Sequence, residues 1–371
     1  MILAYIGLSL WPDFSKFTFM KKLFQLTYVA PVVAVVFYLL APVGNNLFVN
    51  LLALGVLIVS VLLAVYHAEV VAHKSGEPYG TIILALAVTV LEASIIVSLM
   101  LTGGGGADTY ARDTLFAAVM LILNGILGIS MLVGALKFKE QLFEVKSVTI
   151  ALVGLVSILV LALVLPNFTT SIAGPAYSAP QLIAVGASCL VIYSAFIFTQ
   201  TVRHRTYFLT EVTGEEKTVT RTEALISLGL LLVCLGVVVF LAKKLSPVIE
   251  AAVVGAGLPT ALVGVAVAAV ILLPEGIAAI RAAQRNQYQT SINLALGSAL
   301  ASIGLSIPTV VILCTVMDLP LVLGLDKKSM VLLALSVFTV MLSLNKGRTN
   351  VLYATVLLVN LIMYIFTIVY K

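Results

Sequence analysis

The chain has 371 residues, 61% of them hydrophobic and only 10% charged, with a net charge of +5. Soluble domains carry roughly 25% charged residues, so this composition argues against a water-soluble enzyme. At about 20 apolar residues per helix the length allows many membrane spans. The positive balance is concentrated in one set of loops, which fits membrane topology and argues against a nucleic-acid partner.

Met1 to Leu10 has no basic segment and runs into Trp11-Pro12-Asp13, so a cleavable signal peptide is not expected there. Residues 11–25, with Lys16, Lys21 and Lys22, read as an interfacial lead-in. Long uncharged runs follow, and turn signals at Pro42-Val43-Gly44-Asn45-Asn46 and between Pro166 and Pro180 divide the longest of them. The fold predicted is an all-α polytopic membrane protein of eleven transmembrane helices. They fall at 26–41, 47–69, 79–102, 114–136, 147–165, 181–201, 223–242, 258–281, 288–316, 329–344 and 350–370. Between the third and fourth, Gly103 to Gly106 lacks the Lys-Ser/Thr ending of a phosphate cradle and reads as a loop. Cys189, Cys234 and Cys314 fall inside spans without metal-ligand spacing and read as packing residues.

Loop charges orient the chain. The side of the N-terminus collects Lys16, Lys21, Lys22, Lys74, Lys137, Lys139, Lys146, Arg203, Arg205, Lys217, Arg221, Arg281, Arg285, Lys346 and Arg348. The other side has Arg112, Lys243, Lys244, Lys327, Lys328 and Lys371. The positive-inside rule then puts the N-terminus in the cytoplasm and the C-terminus outside.

The strongly polar segment 202–222 divides the chain. Residues 1–46 are the lead-in and helix 1, 47–201 a first five-helix repeat, 202–222 a cytoplasmic linker and 223–371 a second five-helix repeat. An odd number of helices per repeat forces opposite insertion, the pattern of secondary transporters whose substrate site lies between repeats.

Two acids interrupt this apolar background at corresponding places. Glu92 lies in the second helix of the first repeat and Glu275 in the second helix of the other. A carboxylate at that depth is costly and is a functional-site candidate. Thr89, one turn before Glu92, can add a hydroxyl oxygen, and Pro274 removes a backbone hydrogen bond beside Glu275, which frees carbonyl oxygens. The third helices add Asn124, in Leu123-Asn124-Gly125, and Ser298, in Gly297-Ser298-Ala299. Glu69 and Glu250 precede the two central acids near the helix ends and are candidate vestibule acids, while His67 and His73 read as interfacial residues. Oxygen ligands suit hard cations such as Ca²⁺ and Na⁺. Two neighbouring carboxylates cannot both stay ionised in a dry site without a counter-ion, so protons replace the metal when it leaves. No resident cofactor is called for.

The phrases His73-Lys74-Ser75-Gly76-Glu77-Pro78-Tyr79-Gly80, Arg112-Asp113-Thr114, Pro274-Glu275-Gly276, Asn293 to Pro308 and Gly347-Arg348-Thr349-Asn350-Val351-Leu352 carry a resemblance over nearly the whole chain. The sequence resembles cation/proton exchangers of the cation/Ca²⁺ exchanger superfamily, closest to the bacterial calcium/sodium/potassium:proton antiporter branch. The resemblance implies one essential glutamate from each repeat, here Glu92 and Glu275. The family pattern Gly-Asn-x-x-Glu is absent, its Asn position being Thr89 in one repeat and Leu272 in the other, and a family glutamine corresponds to Ala301. Glu211, Glu215 and Glu216 form a reduced version of the family's acidic cytoplasmic segment. The function expected is export of Ca²⁺, with Na⁺ and K⁺ as further candidates, against protons across the bacterial inner membrane. The partners are the lipid bilayer and inorganic cations. The alternatives are a cation channel, or a Na⁺/K⁺-selective proton antiporter with little Ca²⁺ transport. No His-Glu-x-x-His motif or nucleophile constellation supports an enzyme.

Overall fold

The computed structural model describes residues 19–44, 46–75, 79–101, 107–208 and 219–370. The four-glycine run, the Gly76-Glu77-Pro78 phrase, Met1 to Asp13 and linker residues Glu211, Glu215 and Glu216 lie outside them. Eight helices among the described residues are long and apolar enough to cross a bilayer. They are α2 (Leu47–Ser75), α4 (Ala107–Phe138), α5 (Val145–Phe168), α6 (Ala179–Arg203), α7 (Arg221–Gly255), α10 (Tyr288–Val316), α11 (Lys327–Leu344) and α12 (Val351–Val369). A bent pair, α8 (Ala261–Ile271) and α9 (Leu273–Gln284), makes a ninth candidate span, folded by 56° at its break. Two further helices, α1 (Phe19–Leu40) and α3 (Tyr79–Leu101), are apolar over shorter described stretches. No strand occurs among the described residues; Leu142 and Arg348 form an isolated bridge between two loops.

Each predicted span has a helical counterpart, and two differ from their expected form for physical reasons. The helix expected at 223–242 runs on to Gly255 as α7. Lys243 and Lys244 do not end it, because Lys244 bends its stem along the bundle. Its Nζ donates to the Tyr38 carbonyl at 2.9 Å and sits 4.2 Å from the Tyr38 ring centroid. The span expected at 258–281 is interrupted at Leu272, where Pro274 has no N–H for the preceding turn.

α4 and α10 form the centre. Tyr110, Leu115, Met120, Leu123, Leu127 and Met131 of α4 are fully buried, as are Tyr288, Leu296 and Ile303 of α10. Around them α2 packs on α7, α3 on α10, α8 and α9 on α4, and α9 also on α10. α6 and α5 pack on α10, whereas α12 and α11 pack on α4. α1 lies against α2 and α7. The outward faces carry Phe48, Val153, Ile183, Phe198, Phe338, Leu352 and Phe366, an apolar exterior suited to lipid. Cys189, Cys234 and Cys314 are free and buried.

Lipid tails are as apolar as these side chains, so hydrophobic transfer does little to drive helices together, and close backbone approach takes its place. A Cβ at Gly264 would stand 3.0 Å from the backbone of Asp113 and Thr114, and one at Gly128 3.1 Å from Leu358. The loops joining α4 to α5 and α11 to α12 are also fastened. Gln141 N–H donates to Thr349 Oγ1 at 2.8 Å, and Thr349 N–H returns a bond to the Gln141 carbonyl at 3.0 Å.

The Gly264 contact sets how near α8 comes to α4. Gly264→Ala should lower the melting temperature in detergent, with an overpacking cost of about 1–3 kcal/mol, and slow transport. An unchanged melting temperature would show that the two backbones separate freely.

Candidate cation site

Glu92 is 1% exposed in the middle of α3, with its carboxylate turned to α10. Ser302 Oγ stands 2.6 Å from Oε1 and 2.7 Å from Oε2, and Ser306 Oγ donates to Oε2 at 2.5 Å. The two serines are one helical turn apart, so both face the same acid. Neither was singled out in the sequence. The signal was present as the i, i+4, i+8 series Ser298, Ser302, Ser306, a polar stripe along an apolar helix.

Glu275 is placed by the break between α8 and α9. It falls in the first turn of α9, where free backbone N–H groups and the helix dipole favour negative charge. Its Oε2 is shut off from solvent and has no hydrogen-bond donor. A Cβ on Gly276 would lie 3.5 Å from the Ile126 side chain, which seats this turn on α4. There the helix widens into a π turn over Leu121–Ile126, a local form frequent at functional sites. Glu275 lies within Coulombic range of both Glu92 and Glu69.

The remaining sequence candidates take different positions. Asn124 is fully buried inside the π turn; its Nδ2 donates to Ser336 Oγ and the Met120 carbonyl, while Oδ1 has no donor. Thr89 is buried and its hydroxyl donates to the Ala85 carbonyl of its own helix at 2.8 Å, which leaves only oxygen lone pairs to offer. Ser298 is half-buried one turn before Ser302 and gives no hydrogen bond to either glutamate. Glu69 is exposed on α2. Glu250 lies on α7 and faces the buried Tyr110 hydroxyl. His67 is fully buried between α2 and α1, with Nε2 3.2 Å from the Thr27 carbonyl and its ring against Tyr28 and Tyr66. Among the described residues no group of three His, Cys, Asp or Glu side chains could hold a metal. The oxygens available are two carboxylates, hydroxyls, an amide and carbonyls, a hard-cation set.

The sequence profile described as "Sodium/calcium exchanger protein" matches residues 45–202 and 226–370. The chain belongs to this family. It is thus a multi-pass membrane protein that exchanges inorganic cations, not an enzyme in the usual sense. It is 35% identical over 333 residues to the sodium-potassium/proton antiporter ChaA of Escherichia coli strain K12, covering 86% of this chain and 88% of ChaA. It is 42% identical over 309 residues to y4hA of Sinorhizobium fredii, named as a candidate ionic transporter, covering 82% of this chain and 84% of that one. Two solved structures share the fold. Native YfkE matches with a TM-score of 0.72 at 18% identity, over 94% of this chain and 99% of its own. The H⁺/Ca²⁺ exchanger CAX matches with a TM-score of 0.72 at 16% identity, over 95% of this chain and 89% of its own.

Ser302→Ala with Ser306→Ala should leave the Glu92 carboxylate buried without side-chain donors, at about 1–3 kcal/mol per unsatisfied group. Thermal unfolding in detergent should fall accordingly, whereas the same pair in a Glu92→Leu background should be near neutral. Equal losses in both backgrounds would mean that the serines act through packing.

Proposed function

We propose that the chain exports Ca²⁺ in exchange for protons through one site shared by Glu92 and Glu275. Asn124 Oδ1 and carbonyls freed at the α8/α9 break would complete the cation's oxygen shell. The observation that carries this reading is the Glu275 Oε2 atom, a buried acceptor with no donor, within Coulombic range of a second buried acid. An acceptor in that setting calls for a cation or a proton. Two carboxylates balance one Ca²⁺, and two protons restore neutrality after it leaves. Glu92 keeps two donors of its own when no metal is bound, the Ser302 hydroxyl reaching both of its oxygens and the Ser306 hydroxyl one of them.

Packing supports eleven spans arranged as repeats at 47–201 and 223–371. The contact of α3 with α10 is matched by that of α8 and α9 with α4, α6 with α10 by α12 with α4, and α5 with α10 by α11 with α4. Exchanging the halves reproduces the pattern, and α2 with α7 is its own counterpart. Alternating access then follows from movement between repeat elements about the shared site, with the Leu272 break as a hinge. The charge asymmetry of the loops supports a cytoplasmic N-terminus in the bacterial inner membrane.

A second reading, Na⁺ and K⁺ against protons, is favoured by the similarity to ChaA and by Thr89 and Leu272 standing where the resemblance places side-chain amides. One measurement separates them. In vesicles holding the reconstituted protein and a pH dye, with the membrane potential clamped, Ca²⁺ should drive proton movement at lower concentration than Na⁺ or K⁺. The reverse order establishes the monovalent reading, and cation movement without proton movement rejects exchange. Glu92→Gln and Glu275→Gln should each abolish the signal; full transport by either would remove the shared site.

A further inference from the structure

Asn124 can serve a cation only if its amide oxygen, and not its nitrogen, faces the site. Both groups of an amide fit the same space, so the choice falls to its neighbours. The Met120 carbonyl, 3.3 Å from Nδ2, can only accept, and this long contact favours the nitrogen on its side without by itself holding it there. Ser336 on α11, fully buried, accepts a second bond from Nδ2 at 2.9 Å. A serine hydroxyl could equally donate to an amide oxygen, which would favour the opposite orientation. Its proton is directed elsewhere, because Ser336 Oγ donates to the Met120 sulfur at 3.5 Å. With that proton spent, the oxygen presents a lone pair to Asn124. Asn124 Oδ1 is left buried and without a donor, on the turn of α4 against which the Glu275 turn packs.

We infer that Ser336, held by Met120, is a positioning residue for cation binding: it turns the Asn124 amide so that Oδ1 joins Glu275 in the ion's coordination shell. Ser336 touches no ion itself. Its effect belongs to affinity and selectivity, since an unfixed amide spends part of its time presenting N–H to a cation. The inference rests on the assignment of Glu275 to the cation site.

The test is the initial rate of cation-driven proton movement in reconstituted vesicles as a function of cation concentration at fixed pH. Ser336→Ala should raise KM about tenfold, the equivalent of about 1.4 kcal/mol and the scale of one hydrogen bond, with the maximal rate nearly unchanged. Ser336→Thr, which keeps the hydroxyl, should restore the parental KM. A parental KM in Ser336→Ala, or an equal rise in both variants, overturns the inference. Should Ser336→Ala not fold, Met120→Leu carries the same test: it frees the Ser336 proton and should raise KM in the same direction, and an unchanged KM counts against the proposal. Glu275→Gln run alongside separates the two claims. If it transports normally, the cation site lies elsewhere; if it is inactive while Ser336→Ala has parental KM, only the positioning role fails.

Discussion

A carboxylate held away from water must be answered by hydrogen bonds, a proton or a cation, and this requirement organises the molecule. Removing an ion from water into a medium of low polarity costs several kcal/mol even after the surroundings relax. Glu92 and Glu275 meet that cost differently. Serine hydroxyls from another helix surround the first, while the second sits at a helix N-terminus with one oxygen unanswered. Family membership establishes cation exchange, and under the mechanism proposed above the two acids are where proton and metal ion compete.

The packing serves those acids. α3 and α9 carry them, and each is pressed on a central helix, α3 on α10, whose Ser302 and Ser306 face Glu92, and α9 on the π turn of α4. Closeness comes from small residues, because neither lipid nor protein gains much by exchanging one apolar neighbour for another. Gly264 brings α8 to backbone contact with α4, and Gly128 lets α12 approach at the Leu358 side chain. The helices that carry the two acids differ: α3 runs unbroken through Glu92, whereas the α8/α9 pair bends by 56° before Glu275.

Much of this was legible in the sequence because the bilayer imposes simple rules. Apolar run length located the helices, and the span predicted at 288–316 coincides with α10. Pro274 announced the break, since a missing N–H acts locally. The end of α7 was not legible: a lysine pair reads as a helix terminus unless one knows that Tyr38 waits to receive Lys244. The partners of Glu92 were hidden for a similar reason. Serines are common in membrane helices, and the choice among Ser298, Ser302 and Ser306 depends on how α3 and α10 cross. The burial of His67 was not legible either, because it depends on α1, which lies 40 residues earlier at Thr27.

The π turn in α4 has a consequence for how such a chain can vary. It accommodates one residue more than a regular helix would over the same rise, so the segment before it and the segment after it are registered against different neighbours, α8 on one side and α12 on the other. Loss of one residue from Leu121–Ile126 would let the backbone relax into ordinary coiling while leaving both flanking segments near their present rise and facing, so the cost would fall inside the turn, on Asn124 and its bonds to Met120 and Ser336. Of all the places where this rod could shorten, that one would disturb its neighbours least and its own polar group most.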